Sequence, residues 1–292
     1  SWLSWILIGM AAIVLLVVLA ALYVALFGRR DLQTRLGGKT MIWVGGIAFP
    51  VVVLTGLLIY GLSLTRHLSD PVQGNELRIR VIGEMWWWRV AYLDPQGREI
   101  LQDANELHIP AGRPVVLELQ SADVIHSFWV PRLSGKLDMI PGRRNLMRIQ
   151  ADEPGVFGGQ CAEYCGGPHA LMGFTVIAHE PAGFARLIQA RMARERGSQA
   201  AAGTGERQFA AAGCAACHRI AGTGANGLAG PDLTHVGARR TLGAGILPNN
   251  RGTMMGWIGN SQAIKPNNRM PPYAMLSSDE LTALAAYLEA QK

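Results

Sequence analysis

Two stretches near the N-terminus, Trp2 to Phe27 and Thr40 to Thr65, run for 26 residues each without one charged side chain. At about 1.5 Å per residue either run, as a helix, crosses the roughly 30 Å hydrocarbon layer of a bilayer. The pattern predicts two transmembrane helices, since core helices of that length carry a polar face. The first run is too long for the apolar core of a secretory signal, and a second span follows it. Pro50, inside the second run, predicts a kink of the kind that membrane helices tolerate. From about Glu76 to Glu180 the pattern changes to short alternating segments between turn residues: Leu77–Ile82, Trp88–Leu93, Glu106–Ile109, Val115–Leu119, Leu146–Ile149 and Phe174–Ile177. This predicts an all-β sandwich or barrel with a single core. Ala190 to Gly205 passes from an Arg-rich run to Gly, Ser and Ala and is expected to be a flexible linker. Residues 206–292 read as small and helical, ending in a capping box, Ser277-Ser-Asp-Glu280, ahead of Leu281, Leu284, Ala285 and Leu288 on one face. The expected domains are 1–66, a transmembrane helical hairpin; 67–189, the β domain; 190–205, the linker; and 206–292, an all-α domain.

Charge changes this picture in one respect. The segment Gly28 to Lys39 carries Arg29, Arg30, Arg35 and Lys39 against Asp31 alone, and short loops rich in Lys and Arg stay cytoplasmic. Everything after Arg66 is therefore expected outside the cytoplasm. Neither span contains an Asp, Glu, Lys, Arg or His, so the chain offers no intramembrane proton relay of its own. The net charge of +6 divides into +3 over residues 1–65, −2 over 66–190, +2 over 191–205 and +3 over 206–292. No basic stripe interleaved with aromatics appears, which excludes a nucleic-acid partner. The opposite signs of the two soluble parts favour their docking, weakly and in a salt-dependent way.

All four cysteines belong to two motifs. Cys214-Ala-Ala-Cys217-His218 is a c-type haem attachment sequence: two thiols form thioethers with the vinyl groups and the adjacent imidazole takes one axial position. That chemistry is periplasmic in bacteria. The other motif is Cys161-x3-Cys165-x3-His169-x2-Met172. Thiolate and imidazole donors with a weaker thioether select copper in an electron-transfer role. Two thiolates can bridge two copper ions, each then needing one imidazole and one weak ligand, and His126 supplies the second imidazole from an earlier strand. The alternative is a Cys161–Cys165 disulfide beside ordinary surface histidines.

On these residues, 1–190 resembles subunit II of haem-copper cytochrome c oxidases: a membrane hairpin followed by a cupredoxin-like Greek-key barrel that carries the binuclear copper centre called CuA. The resemblance implies that Cys161 and Cys165 bridge both ions, that His126 and Met172 complete one, and that His169 and the Glu163 carbonyl complete the other. It further implies that the Glu163 carboxylate helps to hold a Mg ion at the boundary with the catalytic subunit, a suitable task for a hard oxygen ligand. In the run Trp86-Trp87-Trp88, Trp86 aligns with the family's tryptophan where electrons enter the copper domain. Three adjacent tryptophans in a strand point to alternate faces, so they cannot all fill the core. The family's usual His-Gln before the first tryptophan is Glu84-Met85 here, and Ala162 replaces a frequent Ser. Lys136 to Arg143 resembles a segment facing the catalytic subunit and reads equally well as a strand-turn-strand.

The helical domain resembles a class I cytochrome c. Gly230-Pro231-Asp-Leu233 matches the loop whose Pro carbonyl accepts the proximal imidazole N–H, and Met270, in Asn-Arg-Met270-Pro, matches the distal ligand. Trp257 is placed either on a haem propionate or in the core, and Met254 and Met255 in a helix ending near Lys265. The whole chain thus resembles subunits II with a fused cytochrome c. It would pass electrons from haem c to copper and on to a separate haem-copper subunit I, beside a subunit III. The upstream donor would be a cytochrome c or a quinol:cytochrome c oxidoreductase. The expected setting is the bacterial cytoplasmic membrane, with both redox domains on the periplasmic face and Ser1 arising from processing. Oxygen reduction and any proton translocation fall to the partner, because this chain has no membrane acids and no second copper site. The electron-input subunit of a copper-containing nitric oxide reductase is the alternative.

Overall fold

A computed structural model of the chain describes residues 2–69, 76–197 and 203–292, and the chain divides into two compact units, Ser1–Leu68 and Ser69–Lys292. In the first unit, α1 (Trp2–Phe27) covers the whole of the first apolar run, and α2 (Arg30–Leu36) occupies the basic connection. The second run is continuously helical through α3 (Lys39–Met41), a π-helical segment (Ile42–Ala48) and α4 (Phe49–Ser69). Just before Pro50 the helix widens by one residue: the Phe49 N–H bonds to the carbonyl of Val44, and a residue without an N–H follows at once. The most apolar window of each span has no residue covered by protein. Trp5, Leu16, Val52 and Leu58 are all exposed, as helices solvated by lipid require.

The second unit begins with ten strands: β1 (Leu77–Glu84), β2 (Trp87–Leu93), β3 (Glu99–Ala104), β4 (Glu106–Pro110), β5 (Val115–Ser121), β6 (His126–Trp129), β7 (Lys136–Met139), β8 (Asn145–Ile149), β9 (Gly155–Cys161) and β10 (Gly173–His179). They form two five-stranded sheets, ordered β3-β2-β1-β5-β8 and β4-β10-β9-β6-β7. The result is a cupredoxin-like sandwich. Alternation does what it should: Ile79 and Val81 of β1 and Phe174, Val176 and Ala178 of β10 are buried between partly exposed neighbours. Trp88, Phe128 and Phe174 pack against one another at the centre of this core, Trp88 and Phe128 edge to face. Only Trp87 and Trp88 of the tryptophan run lie in a strand, and Trp86 belongs to the turn between β1 and β2. The expectation of three strand tryptophans is corrected accordingly: Trp88 fills the core, and Trp87 lies half-buried under the Arg89 guanidinium.

Helix α5 (Pro181–Arg196) follows β10. The linker expected over 190–205 is thereby shortened, since residues through Arg196 are helical and 198–202 lie outside the described residues. The physical reason is Arg191, which falls inside the expected linker. Its side chain is buried, donating to the Asp103 carboxylate and to His108 Nε2. The haem domain then folds as α6 (Thr204–Ala211), a two-stranded ribbon of β11 (Thr241–Leu242) and β12 (Leu247–Pro248), α7 (Arg251–Ile264) and α8 (Ser278–Glu289). The capping box expected at α8 is present, with Ser277 and Glu280 bonded to each other's backbone N–H, and Leu284, Ala285 and Leu288 are buried below it. The haem domain packs directly on the sandwich. Arg239 reaches Asp103, the Arg240 N–H reaches the Glu106 carboxylate, and the Gly173 N–H bonds the Ala244 carbonyl at 3.0 Å. Docking thus rests on specific buried bonds, beyond the general attraction of opposite net charges.

Candidate functional site

Strand β6 begins with His126, and β9 ends with Cys161, on adjacent paired strands. The loop from Cys161 to Met172 folds back over this junction and brings four further donors to it. Cys161 Sγ lies 3.8 Å from Cys165 Sγ, 3.9 Å from His126 Nδ1 and 3.2 Å from the Glu163 carbonyl. Cys165 Sγ lies 3.4 Å from His169 Nδ1 and 3.8 Å from Met172 Sδ. Each sulfur therefore has its own imidazole, and all six positions expected from the sequence converge on the sulfur pair. The sulfurs are free, well beyond the ~2.05 Å of a disulfide. Cys161 is held far below the ordinary thiol range, chiefly by the hydrogen bond from Cys165, which is itself raised. The donor set is soft and nearly dry, with Cys161, Cys165, His126 and Met172 all buried, which fits copper. The Glu163 side chain is half-buried beside the site.

The imidazole of His126 is held from behind. Its Nε2 donates to Asp123 Oδ1 at 2.8 Å, which leaves the Nδ1 lone pair facing sulfur. Gly83 makes room for the ring, since a Cβ there would come within 2.7 Å of His126 Cδ2. Asp123 was missed in the sequence, although Asp123-x-x-His126 offered a faint signal.

The haem motif borders a cavity of about 380 Å³ lined by Cys214, Cys217, His218, Trp257, Met270 and Tyr273. His218 Nδ1 donates to the Pro231 carbonyl at 2.8 Å, so its Nε2 lone pair is available to an iron. Burial keeps this imidazole neutral by lowering its pKa. Gly230 is needed for the same contact: a Cβ there would lie 2.6 Å from His218 Cε1. Of the four downstream methionines, Met270 and Met254 line the cavity, Met254 as part of the packed core, while Met275 is exposed. Trp257 lies on the cavity wall. The donors and the apolar space fit a haem attached through Cys214 and Cys217, with His218 and Met270 both on the wall of the cavity.

The two sites share a wall. Trp86 lines the cavity from the sandwich side, and its indole Nε1 donates to the Cys165 carbonyl at 2.9 Å. Lys265 was not singled out in the sequence and donates to the Trp86 carbonyl at 2.7 Å. Nothing in a lone lysine at a helix end could have signalled this.

Comparison with known proteins places these features in context. Residues 77–179 match the family described as cytochrome C oxidase subunit II, periplasmic domain, and residues 202–292 match the cytochrome c family. Cytochrome c oxidase subunit 2 of Alkalihalophilus pseudofirmus is 36% identical over 96% of this chain and 84% of its own length. That of Bacillus subtilis is 29% identical over 91% of this chain and 78% of its own length. The crystal structure of the periplasmic domain of subunit II of cytochrome oxidase of Bradyrhizobium japonicum is 29% identical, covers 42% of this chain and 98% of that one, and superposes with a TM-score of 0.39.

Proposed function

Because the chain belongs to the cytochrome c oxidase subunit 2 family, we propose a residue-level account of how it delivers electrons to a haem-copper oxidase. It is a membrane-anchored subunit with a periplasmic domain and a fused cytochrome c domain. Copper and haem c, once bound, supply reversible one-electron transfer, so electrons run from the haem domain through the copper domain to the oxidase's catalytic subunit. The nitric oxide reductase reading is not favoured, since the relatives that match along most of the chain are oxidase subunits.

In this account the copper site is binuclear. The ions would be held by the thiolates of Cys161 and Cys165, with one imidazole each from His126 and His169 and weaker donation from Met172 and the Glu163 carbonyl. The Glu163 carboxylate contributes to a Mg site at the catalytic subunit. Cys214 and Cys217 carry the haem, and His218 and Met270 hold its iron. Asp123 and the Pro231 carbonyl fix the tautomers of His126 and His218, so that each imidazole presents a lone pair to its metal at no cost in reorganisation. Trp86, bonded to the Cys165 carbonyl and bordering the haem cavity, is the residue through which electrons enter the copper domain. The hairpin is set in the bacterial cytoplasmic membrane with both redox domains on its periplasmic face, next to subunits I and III. Oxygen chemistry and translocation reside in the partner, and a cytochrome c or quinol:cytochrome c oxidoreductase feeds the haem.

The single observation that carries this reading is the convergence of two imidazoles, a thioether and a carbonyl on one sulfur pair, separated from the haem cavity by one tryptophan. The test is oxygen uptake by the complex purified through this chain, driven by a reductant of haem c. Fast, cyanide-sensitive uptake that is lost in Cys161→Ser, with the haem c spectrum intact, is expected. Uptake that survives Cys161→Ser would remove the copper site from the path.

A further inference from the structure

Lys265 follows α7 in the haem domain and is only 3% exposed. An ammonium has three N–H donors and no acceptor. Each of the three meets a backbone carbonyl from a different segment: Trp86 at 2.7 Å, Leu171 at 2.7 Å and Gly243 at 3.0 Å. The first two belong to the sandwich and the third to the haem domain. All of these partners are neutral. A buried cation hydrogen-bonded only to carbonyls is costly, and burial pushes its pKa down to about 7 against the opposing effect of the nearby Cys165. A methionine of similar length would fill the space without that cost.

The three carbonyls are not arbitrary positions. Trp86 donates its indole N–H to the Cys165 carbonyl. Leu171 lies in the short turn His169–Leu171 that carries one candidate copper ligand and precedes another. Gly243 lines the haem cavity. The neighbouring bond from the Gly173 N–H to the Ala244 carbonyl continues the same seam. One compact charge therefore ties the shared tryptophan, the copper loop and the cavity wall to a common point.

We propose that Lys265 is a positioning residue for electron transfer between the two redox sites of this chain, its ammonium clamping Trp86 and the 169–171 turn against the wall of the haem cavity. The proposal rests on the assignment of those two sites given above. With the clamp in place, the electron does not wait for the domains to find each other.

The test uses the purified complex carrying the full chain. Haem c is reduced by a laser flash with a photoexcited flavin, and its reoxidation is followed in media of rising viscosity. The native complex is expected to show an intramolecular phase that is independent of viscosity. Lys265→Met is expected to slow that phase by about tenfold or more and to make it viscosity-dependent, with the haem absorption and the copper EPR signal retained. Hydrogen exchange gives a readout separate from activity: the Gly173 amide is expected to lose protection by about tenfold. Lys265→Arg, which keeps a cation with N–H donors, is expected to preserve a viscosity-independent phase. An unchanged rate and unchanged exchange in Lys265→Met overturn the proposal. Loss of the copper signal in both variants also overturns it, by making Lys265 a folding residue of the copper loop. Absence of the intramolecular phase in the native complex overturns the site assignment itself and the clamp with it.

Discussion

Asp103 of the sandwich and Arg239 of the haem domain form a buried ion pair across the domain boundary, with Nε donating to Oδ1 at 2.9 Å and both side chains nearly inaccessible to solvent. Arg191 from α5 occupies the other carboxylate oxygen. Burial alone would raise the Asp103 pKa, but the Arg239 and Arg191 charges hold it well below the usual carboxylate range. One aspartate thus joins the sandwich, α5 and the haem domain.

Replacing Asp103 with Asn leaves two buried guanidinium groups without their counter-charge. Removing one partner of a buried pair costs about 3–5 kcal/mol. Denaturant unfolding of the detergent-solubilised chain is expected to show a loss of that size for Asp103→Asn. A loss below about 1 kcal/mol would mean that the pair behaves as a surface contact.

The same boundary makes stability depend on pH. Arg191 donates to His108 Nε2, so His108 carries its proton on Nδ1, which faces His179 Nε2 at 2.8 Å. Burial, reinforced by Arg191, lowers His108 to about 3. Burial likewise lowers His235, near Arg191, Asp103, Arg239 and Asp232, to about 4. Both histidines are neutral in the fold and would charge near pH 6.5 when unfolded. Their contribution is therefore complete above pH 6.5 and is lost as pH falls toward those lower values. Glu106 runs the other way: burial raises it to about 6, so the folded state holds its proton between pH 6 and 4.5. His179, which burial also lowers, adds to the two histidines, and together they outweigh the single carboxyl, so the fold is expected to lose stability as pH falls from 6 to 4.5. Unfolding midpoints measured across that range are expected to fall with acidification. His235→Gln, which removes one of these histidines, is expected to flatten the slope, and a slope of opposite sign would show that Glu106 dominates.

What was legible in the sequence depended on whether the signal was local. The two spans were, because 26 uncharged residues admit few alternatives. So were the capping box at Ser277 and both metal motifs, whose chemistry fixes residue type and spacing. Strands β3 and β9 were not, while β6 was legible only through His126 and β7 only as one reading of Lys136 to Arg143. β6 and β7 have four residues each, and β9 holds three glycines in seven, so propensity gives little and pairing with neighbours makes the strand. The helical state of residues 190–196 was hidden for a related reason: its cause is Arg191 reaching Asp103, 88 positions away. Asp123 and Lys265 act on backbone and ligand atoms that only the fold brings near, and a composition window does not contain that information.

Asp123 gives the third prediction. It orients His126 through Nε2 and also accepts from the Met85 N–H and the Arg269 guanidinium. Removing a carboxylate behind a ligating histidine typically lowers metal affinity by about 10–100-fold. Asp123→Ala is expected to release copper to a competing chelator at correspondingly lower chelator concentration, with the haem c spectrum unchanged. Equal retention of copper by variant and native chain would show that Nε2 needs no such partner.

Gly83 supplies the fourth. It lies on β1 opposite Trp88 of β2, and its missing side chain is the space into which the His126 ring fits, with Cδ2 and Cγ at 2.7 and 2.8 Å from where a Cβ would be. His126 cannot retreat, because Asp123 holds its far nitrogen and Trp88 packs beside it with ring centroids 6.3 Å apart. An added methyl group must therefore push the imidazole along the direction of the sulfur pair or strain β1. Overpacking of this kind costs about 1–3 kcal/mol, small enough for the sandwich to remain folded. Gly83→Ala is thus expected to fold, to attach haem at the native level and to bind markedly less copper, with an altered EPR spectrum for the fraction that remains. Native copper content and an unchanged spectrum in Gly83→Ala would show that β1 yields more readily than the His126 ring, and that the ligand's position is set by Asp123 alone.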